Sequence, residues 1–149
     1  NCAQLVARLL DPLSCGAVCL VPACSAAERA SLAEVLEGLG SNALLFLGAE
    51  GEAFADPLQR PAIEHFHGGE RRLLFDAESG PSGPSGAGQG EADARAAAHW
   101  IAQALSGKAS LPPPLSNLLA CCLYATGYSD DFNQSKAIVA VRTHALAAA

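Results

Sequence analysis

Methionine is absent from the chain, and aromatic residues are scarce, with one Trp, two Tyr and five Phe. Without methionine, residue 1 is not an unprocessed translation start. The chain is therefore expected to be a piece of a longer protein, a C-terminal fragment. No charged segment followed by an apolar one and a cleavage site opens it, so no signal peptide is read. No apolar run approaches the roughly 18 residues that a membrane span requires. A cytoplasmic protein with no membrane partner is expected. Basic residues are few: nine Lys and Arg stand against 15 Asp and Glu, for a formal charge of −6. That balance gives this segment, taken alone, no electrostatic reason to bind nucleic acid. Neither G-x-G-x-x-G nor G-x-x-x-x-G-K-[ST] occurs, so the common phosphate-cradling loops are missing. The serines lack a nucleophile-elbow context, and no cysteine has a convincing histidine partner.

What is present suits one α/β domain. At 149 residues the chain can bury a real core, and half of its residues are hydrophobic. Six cysteines occur, Cys2, Cys15, Cys19, Cys24, Cys121 and Cys122. Most lie within apolar stretches and two are adjacent, which favours reduced core thiols over disulfides. The spacing of Cys15, Cys19 and Cys24 has no C-x-x-C hook and no nearby His, which argues against a zinc site.

The chain is organised around residues 43–57. The apolar run Ala43, Leu44, Leu45, Phe46, Leu47 stops at Gly48 and opens into an acidic loop closed by Pro57. A short apolar run bounded by glycine reads as a buried strand. Ligands in open α/β sheets sit beyond the carboxyl ends of such strands. Upstream, residues 2–10 read as helix stopped at Asp11-Pro12, and 17–21 as a strand ended by Pro22. Ser25-x-x-Glu28 is a capping box that opens a helix with a Leu32, Val35, Leu36, Leu39 stripe. Helix between two strands is a βαβ unit, so these strands should be parallel.

Residues 62–67 and 71–75, joined by Gly68-Gly69, read as a hairpin. Residues 78–90 are low in complexity and are expected to form a flexible loop. Residues 91–106 read as a helix with Ala94, Ala97, Ile101, Ala104 and Leu105 inward. A proline connector at 111–114 leads to a helix over 115–126 with a Leu115, Leu118, Leu119, Cys122 stripe. Ser129 or Asp130 caps a last helix that ends near residue 146. The expected class is α/β: a mostly parallel sheet with a β-hairpin and flanking helices, the C-terminal helices gathered on the sheet.

Three groups of residues could carry chemistry. Glu50, Glu52 and Asp56 cluster after the central strand; carboxylates so placed hold Mg²⁺ or do acid–base work, or are solvated loop charges. His65 and His67 share a strand face, as metal ligands sometimes do, but no third ligand stands at diagnostic spacing. Arg71-Arg72 beside them is the one basic knot; it suits a phosphate contact or a solvated sheet edge.

Three blocks, residues 1–12 (NCAQLVARLLDP), 45–61 (LFLGAEGEAFADPLQRP) and 118–141 (LLACCLYATGYSDDFNQSKAIVAV), resemble the C-terminal α/β part of the anthranilate phosphoribosyltransferase family. More narrowly, they resemble its YbiB-type, DNA-binding branch. The resemblance runs over nearly the whole chain and is weakest at 78–90. It implies that the helical N-terminal domain, the glycine-rich diphosphate loop and an arginine that helps hold anthranilate precede Asn1. Where active members carry Gly-Pro and Asn, this chain has Ala7-Arg8 and Asp11. Active members also carry an adjacent Asp-Glu pair that binds Mg²⁺ bridging to phosphoribosyl diphosphate. Aligned on Gly51 and Pro57, that pair falls on Ala53 and Phe54, which offer no oxygen to a hard cation.

The resemblance thus implies a degenerate transferase fold, homodimeric, that binds nucleic acid such as single-stranded DNA and needs no cofactor. Arg8, Arg71 and Arg72 are the candidate contacts, and no catalytic residue is assigned. The alternative is an active phosphoribosyltransferase using Mg²⁺ and phosphoribosyl diphosphate on anthranilate or a related acceptor, with Glu50, Glu52 or Asp56 recruited as metal ligands.

Overall fold

The structure is a computed structural model that describes residues 6, 7, 9, 10, 16–48, 60–78, 94–106 and 108–147, with side chains described as far as residue 141. Val6, Ala7 and Leu9 are helical, in keeping with the opening helix. Then come β1 (Cys19–Ala23), α1 (Ala26–Leu39), β2 (Ala43–Leu47), β3 (Ile63–His67), β4 (Glu70–Phe75), α2 (Ala94–Leu105), α3 (Pro113–Ala125) and α4 (Phe132–Ala147). The four strands form one sheet in the order β1-β2-β3-β4.

The α/β class, the hairpin and the βαβ unit stand as the sequence implies. The overall balance of the sheet differs from expectation. The β1–β2 pair is parallel, but β2–β3 and β3–β4 are antiparallel. The described sheet is therefore mostly antiparallel, not mostly parallel. The cause is that the hairpin joins β2 directly and extends the sheet. Ile63 and Phe66 of β3 fall on opposite faces and complete both cores, which fixes the register.

β2 is the axis of the domain. Ala43, Leu44, Leu45 and Phe46 are all fully buried. Alternation sends Ala43 and Leu45 to one face, where they pack with Val21, Ala23, Leu32, Ala33, Leu36 and Phe66. Leu44 and Phe46 go to the other face, with Ile63, Leu118, Cys121 and Ala125. So α1 covers one face and α3 the other, and a Phe46 side chain buried in this way contributes about 1.5–3 kcal/mol. Pro22 lies inside β1 and does not end it. β1 is an edge of the described sheet, where a missing N–H is tolerated.

Local chemistry explains the element ends. Ser25 Oγ accepts from the Glu28 amide at 3.1 Å, and the Glu28 carboxylate accepts from the Cys24 amide at 2.6 Å. This is the expected capping box, with the return bond one residue earlier. α1 leaves through Gly40 in the left-handed region. Gly68 and Gly69 both have positive φ, 60° and 84°, as a two-residue primed hairpin turn requires. A Cβ on Gly40 would lie 3.7 Å from the Gly69 nitrogen, so the helix exit packs against the hairpin turn.

The helix stripes shift by a residue or so. In α1 the buried residues are Leu32, Ala33 and Leu36, while Val35 and Leu39 are exposed. In α3 the buried positions are Pro114, Leu118, Ala120, Cys121 and Ala125, with Leu119 exposed. Pro113 and Pro114 open α3 and do not merely precede it. Proline suits the first turn, whose amides have no intrahelical partner. α3 ends in a Schellman turn: the Tyr128 amide donates to the Leu123 carbonyl and the Gly127 amide to the Tyr124 carbonyl, each at 3.0 Å.

α4 is capped by Asp131, whose Oδ1 accepts from the Asn133 amide at 2.8 Å, and not by Ser129 or Asp130. α2 corrects a further expectation. Its Ala94, Ala97, Ile101 and Leu105 are exposed, and no residue of the helix is buried. Its apolar stripe meets no complementary surface among the described residues. No helix among them is long and apolar enough to cross a membrane. Cys121 and Cys122 are free thiols, as expected. Burial pushes both above the ordinary thiol range, with the neighbouring Cys122 adding to the effect on Cys121. They stay protonated and unreactive.

Candidate functional site

Successive residues of a strand face opposite ways, so β3 and β4 carry different chemistry on their two faces. On the α1 face sits Glu64, a carboxylate only 5% exposed. It accepts from Arg71 Nε at 3.0 Å and Nη2 at 2.6 Å, and from Arg29 Nη1 at 3.4 Å. Arg71 also approaches Glu37 at 3.5 Å. These carboxylates raise the Arg71 guanidinium above its ordinary range, the Glu64 hydrogen bond most. A buried carboxylate needs this pairing. Arg71 is committed to the fold.

Arg72 lies on the other face, beside His65, its partner across the ladder. Its Nη1 donates to the Tyr124 hydroxyl at 2.6 Å, and its guanidinium lies 5.4 Å from the Tyr124 ring centroid. Tyr124 is one rung of a ladder of rings. Its edge meets His65 at 5.6 Å and Phe132 at 5.7 Å, and Phe132 meets Phe75 at 5.3 Å. His67 stacks on His65 at 6.1 Å with the planes 21° apart. Lys136 Nζ sits 5.1 Å from the Phe132 centroid. Two cations, Arg72 and Lys136, thus flank a continuous run of five rings.

Asn42 fixes the histidine. Its Nδ2 donates to the Ala125 carbonyl at 3.0 Å, which caps α3. A carbonyl only accepts, so the amide oxygen must face His65, whose Nε2 lies 2.9 Å away. Nε2 therefore carries the proton and Nδ1 is the acceptor. Burial, then His67, then Arg72 hold His65 below the usual histidine value, so it is neutral near pH 7. Around these groups opens a groove of about 370 Å³ lined by Asn42, His65, His67, Tyr124, Ala125, Thr126, Gly127, Ser129 and Asp130.

The groove lies at the end of the sheet where β2 begins. The acidic loop picked out in the sequence follows the opposite end of β2. Glu50, Glu52 and Asp56 lie outside the described residues, as do Ala53, Phe54 and Arg8. No group of three or more His, Cys, Asp or Glu able to hold a metal ion occurs among the described residues. Arg71 and Arg72 are both described, but they point to opposite faces and do not form one basic knot.

The chain is similar to a bacterial protein. Over 128 residues, 85% of its length, it is 31% identical to Uncharacterized protein YbiB of Escherichia coli (strain K12). It spans about two-fifths of that protein, the match covering 39% of its length. No family model matches the chain. Tyr124, Phe132, Lys136 and Asn42 were not singled out in the sequence. They come together because the α3–α4 turn folds residues 124, 132 and 136 back beside β3 and β4. One signal was available: Gly127 as a helix stop followed by a new cap, which makes Tyr124 and Phe132 neighbours. The groove offers ring faces, acceptors and the donors of Tyr124 and His67, with cations at its side. That combination suits planar polar ligands and does not by itself activate a nucleophile.

Proposed function

We propose that the protein to which this chain belongs is a phosphoribosyltransferase-like fold that binds nucleic acid as a homodimer, single-stranded DNA in the first instance, and does not transfer phosphoribosyl groups. The observation that carries the binding half is the ladder of five rings flanked by Arg72 and Lys136. Proteins that bind single strands pair aromatic platforms for the bases with cations for the backbone. The loss of transfer rests on Ala53 and Phe54, where the resemblance puts the magnesium-binding Asp-Glu pair. The formal charge of −6 makes the contact local, centred on the Arg72 face, while Arg71 is held by Glu64 and Glu37.

Two assays on the full-length protein test this. The first incubates it with phosphoribosyl diphosphate, Mg²⁺, anthranilate and a panel of aromatic acceptors, and follows diphosphate release. The second titrates it against a labelled single-stranded oligonucleotide at low salt. No release and saturable binding are expected. Magnesium-dependent release would establish the transferase reading, with Glu50, Glu52 or Asp56 as replacement ligands. Absence of binding at low salt would remove the nucleic-acid reading.

A further inference from the structure

We infer that the groove beside His65 and His67 takes one unpaired nucleobase that presents N–H donors, guanine before the others. This rests on the nucleic-acid reading above and specifies where and how a base is held. The groove's volume, about 370 Å³, lies within the roughly 300–1,000 Å³ of small-molecule sites. One wall is aromatic. The His65 and His67 rings lie 21° from parallel, and His67 is exposed, so a planar ligand can continue the stack.

The polar groups then decide the ligand's edge. The Asn42 amide is used at both ends, by His65 and the Ala125 carbonyl. The Tyr124 oxygen already accepts from Arg72. Ser129 Oγ donates to Gln134 Oε1 at 2.7 Å and accepts from the Asp131 amide at 3.3 Å. Four lining groups retain capacity: the His65 Nδ1 lone pair and the Asp130 carboxylate, which forms no ion pair among the described residues, accept, while the Tyr124 O–H and a His67 ring N–H donate. A ligand edge that sets adjacent N–H donors toward the carboxylate beside an acceptor of its own fits this arrangement, as guanine does with N1–H, N2–H and O6.

A phosphate is turned away by Asp130 and directed to the Arg72 and Lys136 side, which leaves the base inward. Guanine offers adjacent N1–H and N2–H groups that a carboxylate accepts together. Cytosine and adenine offer one amino group each, and thymine a single imide N–H. The expected order follows from this count.

The test uses the full-length protein and two labelled oligonucleotides, one all thymidine and one with a single central guanosine. The guanosine strand should bind about tenfold more tightly. Asp130→Asn, an exposed change with little bearing on folding, should abolish that preference while thymidine-strand binding persists. His67→Ala should weaken both strands. Equal binding of the two strands, or a preference that survives Asp130→Asn, overturns the groove assignment and leaves the nucleic-acid reading in place. Failure of both strands to bind, with free guanosine binding in an Asp130-dependent way, supports the groove as a nucleoside site and overturns the strand reading. Failure of strands and free guanosine alike overturns both.

Discussion

Replacing Arg71 by Met should destabilise the chain, and replacing Glu64 by Leu in the same molecule should restore most of the loss. Arg71→Met removes the guanidinium that gives Glu64 its hydrogen bonds at 3.0 and 2.6 Å and leaves only Arg29 at 3.4 Å. Charge-assisted bonds of this kind contribute about 1.5–3 kcal/mol each. The Arg71 side chain is 44% exposed, so water screens part of that, and a loss of about 2 kcal/mol is expected. The Glu37 contact has both ends well exposed and adds about 0.5 kcal/mol at most. For a chain of this size, 2 kcal/mol lowers Tm by about 4–8 °C.

Glu64→Leu alone should lie within about 1 kcal/mol of the parent, because the buried charge itself is removed and the Arg71 and Arg29 side chains, 44% and 30% exposed, keep access to water. Thermal melts of the four proteins in a double-mutant cycle give the coupling. A coupling below about 0.5 kcal/mol, the scatter expected of independent sites, would refute the claim that Arg71 is spent on the fold.

Three further outcomes follow. His65 is held below its ordinary value, so the unfolded chain binds its proton more readily; the stability this contributes is complete above pH about 6.5 and declines as pH falls below it. His65→Gln should flatten that part of a stability–pH curve measured by urea melts, and an unchanged curve would contradict the assignment. Asn42→Ala strands the Ala125 carbonyl and the His65 Nε2–H together and should cost about 1–3 kcal/mol in the same melts. Cys121 is fully buried with its thiol raised, so a thiol reagent at pH 8 should leave it unmodified until the chain unfolds, read by peptide mass mapping.

The buried strand at Ala43–Leu47, the Ser25 capping box and the Gly68-Gly69 hairpin were legible because each is written in adjacent residues with one physical reading. The β2–β3 pairing was not. Nothing in residues 63–67 says which neighbour they pair with, and that choice made the sheet mostly antiparallel. The α2 stripe is a face without a described partner, since an amphipathic pattern predicts a buried side but does not supply the surface that buries it.

The ladder was hidden for a different reason. Tyr124, Phe132 and Lys136 lie far from His65 in sequence and are unremarkable singly; only the α3–α4 turn beside β4 brings them and His65 into one surface. Arg71 and Arg72 read as a pair in one dimension, yet the period of two in a strand separates them.

That separation gives the most direct test of the proposed interface. Binding of a labelled single-stranded oligonucleotide to the full-length protein is measured by anisotropy over a range of salt, for the parent, Arg71→Gln and Arg72→Gln. Arg72→Gln should weaken binding and lessen the slope of log K against log salt by about 0.7, one phosphate contact on a single strand. Arg71→Gln, at a temperature where it remains folded, should leave both unchanged. Equal effects of the two substitutions, or a slope lost with Arg71 alone, would contradict an interface on the Arg72 face.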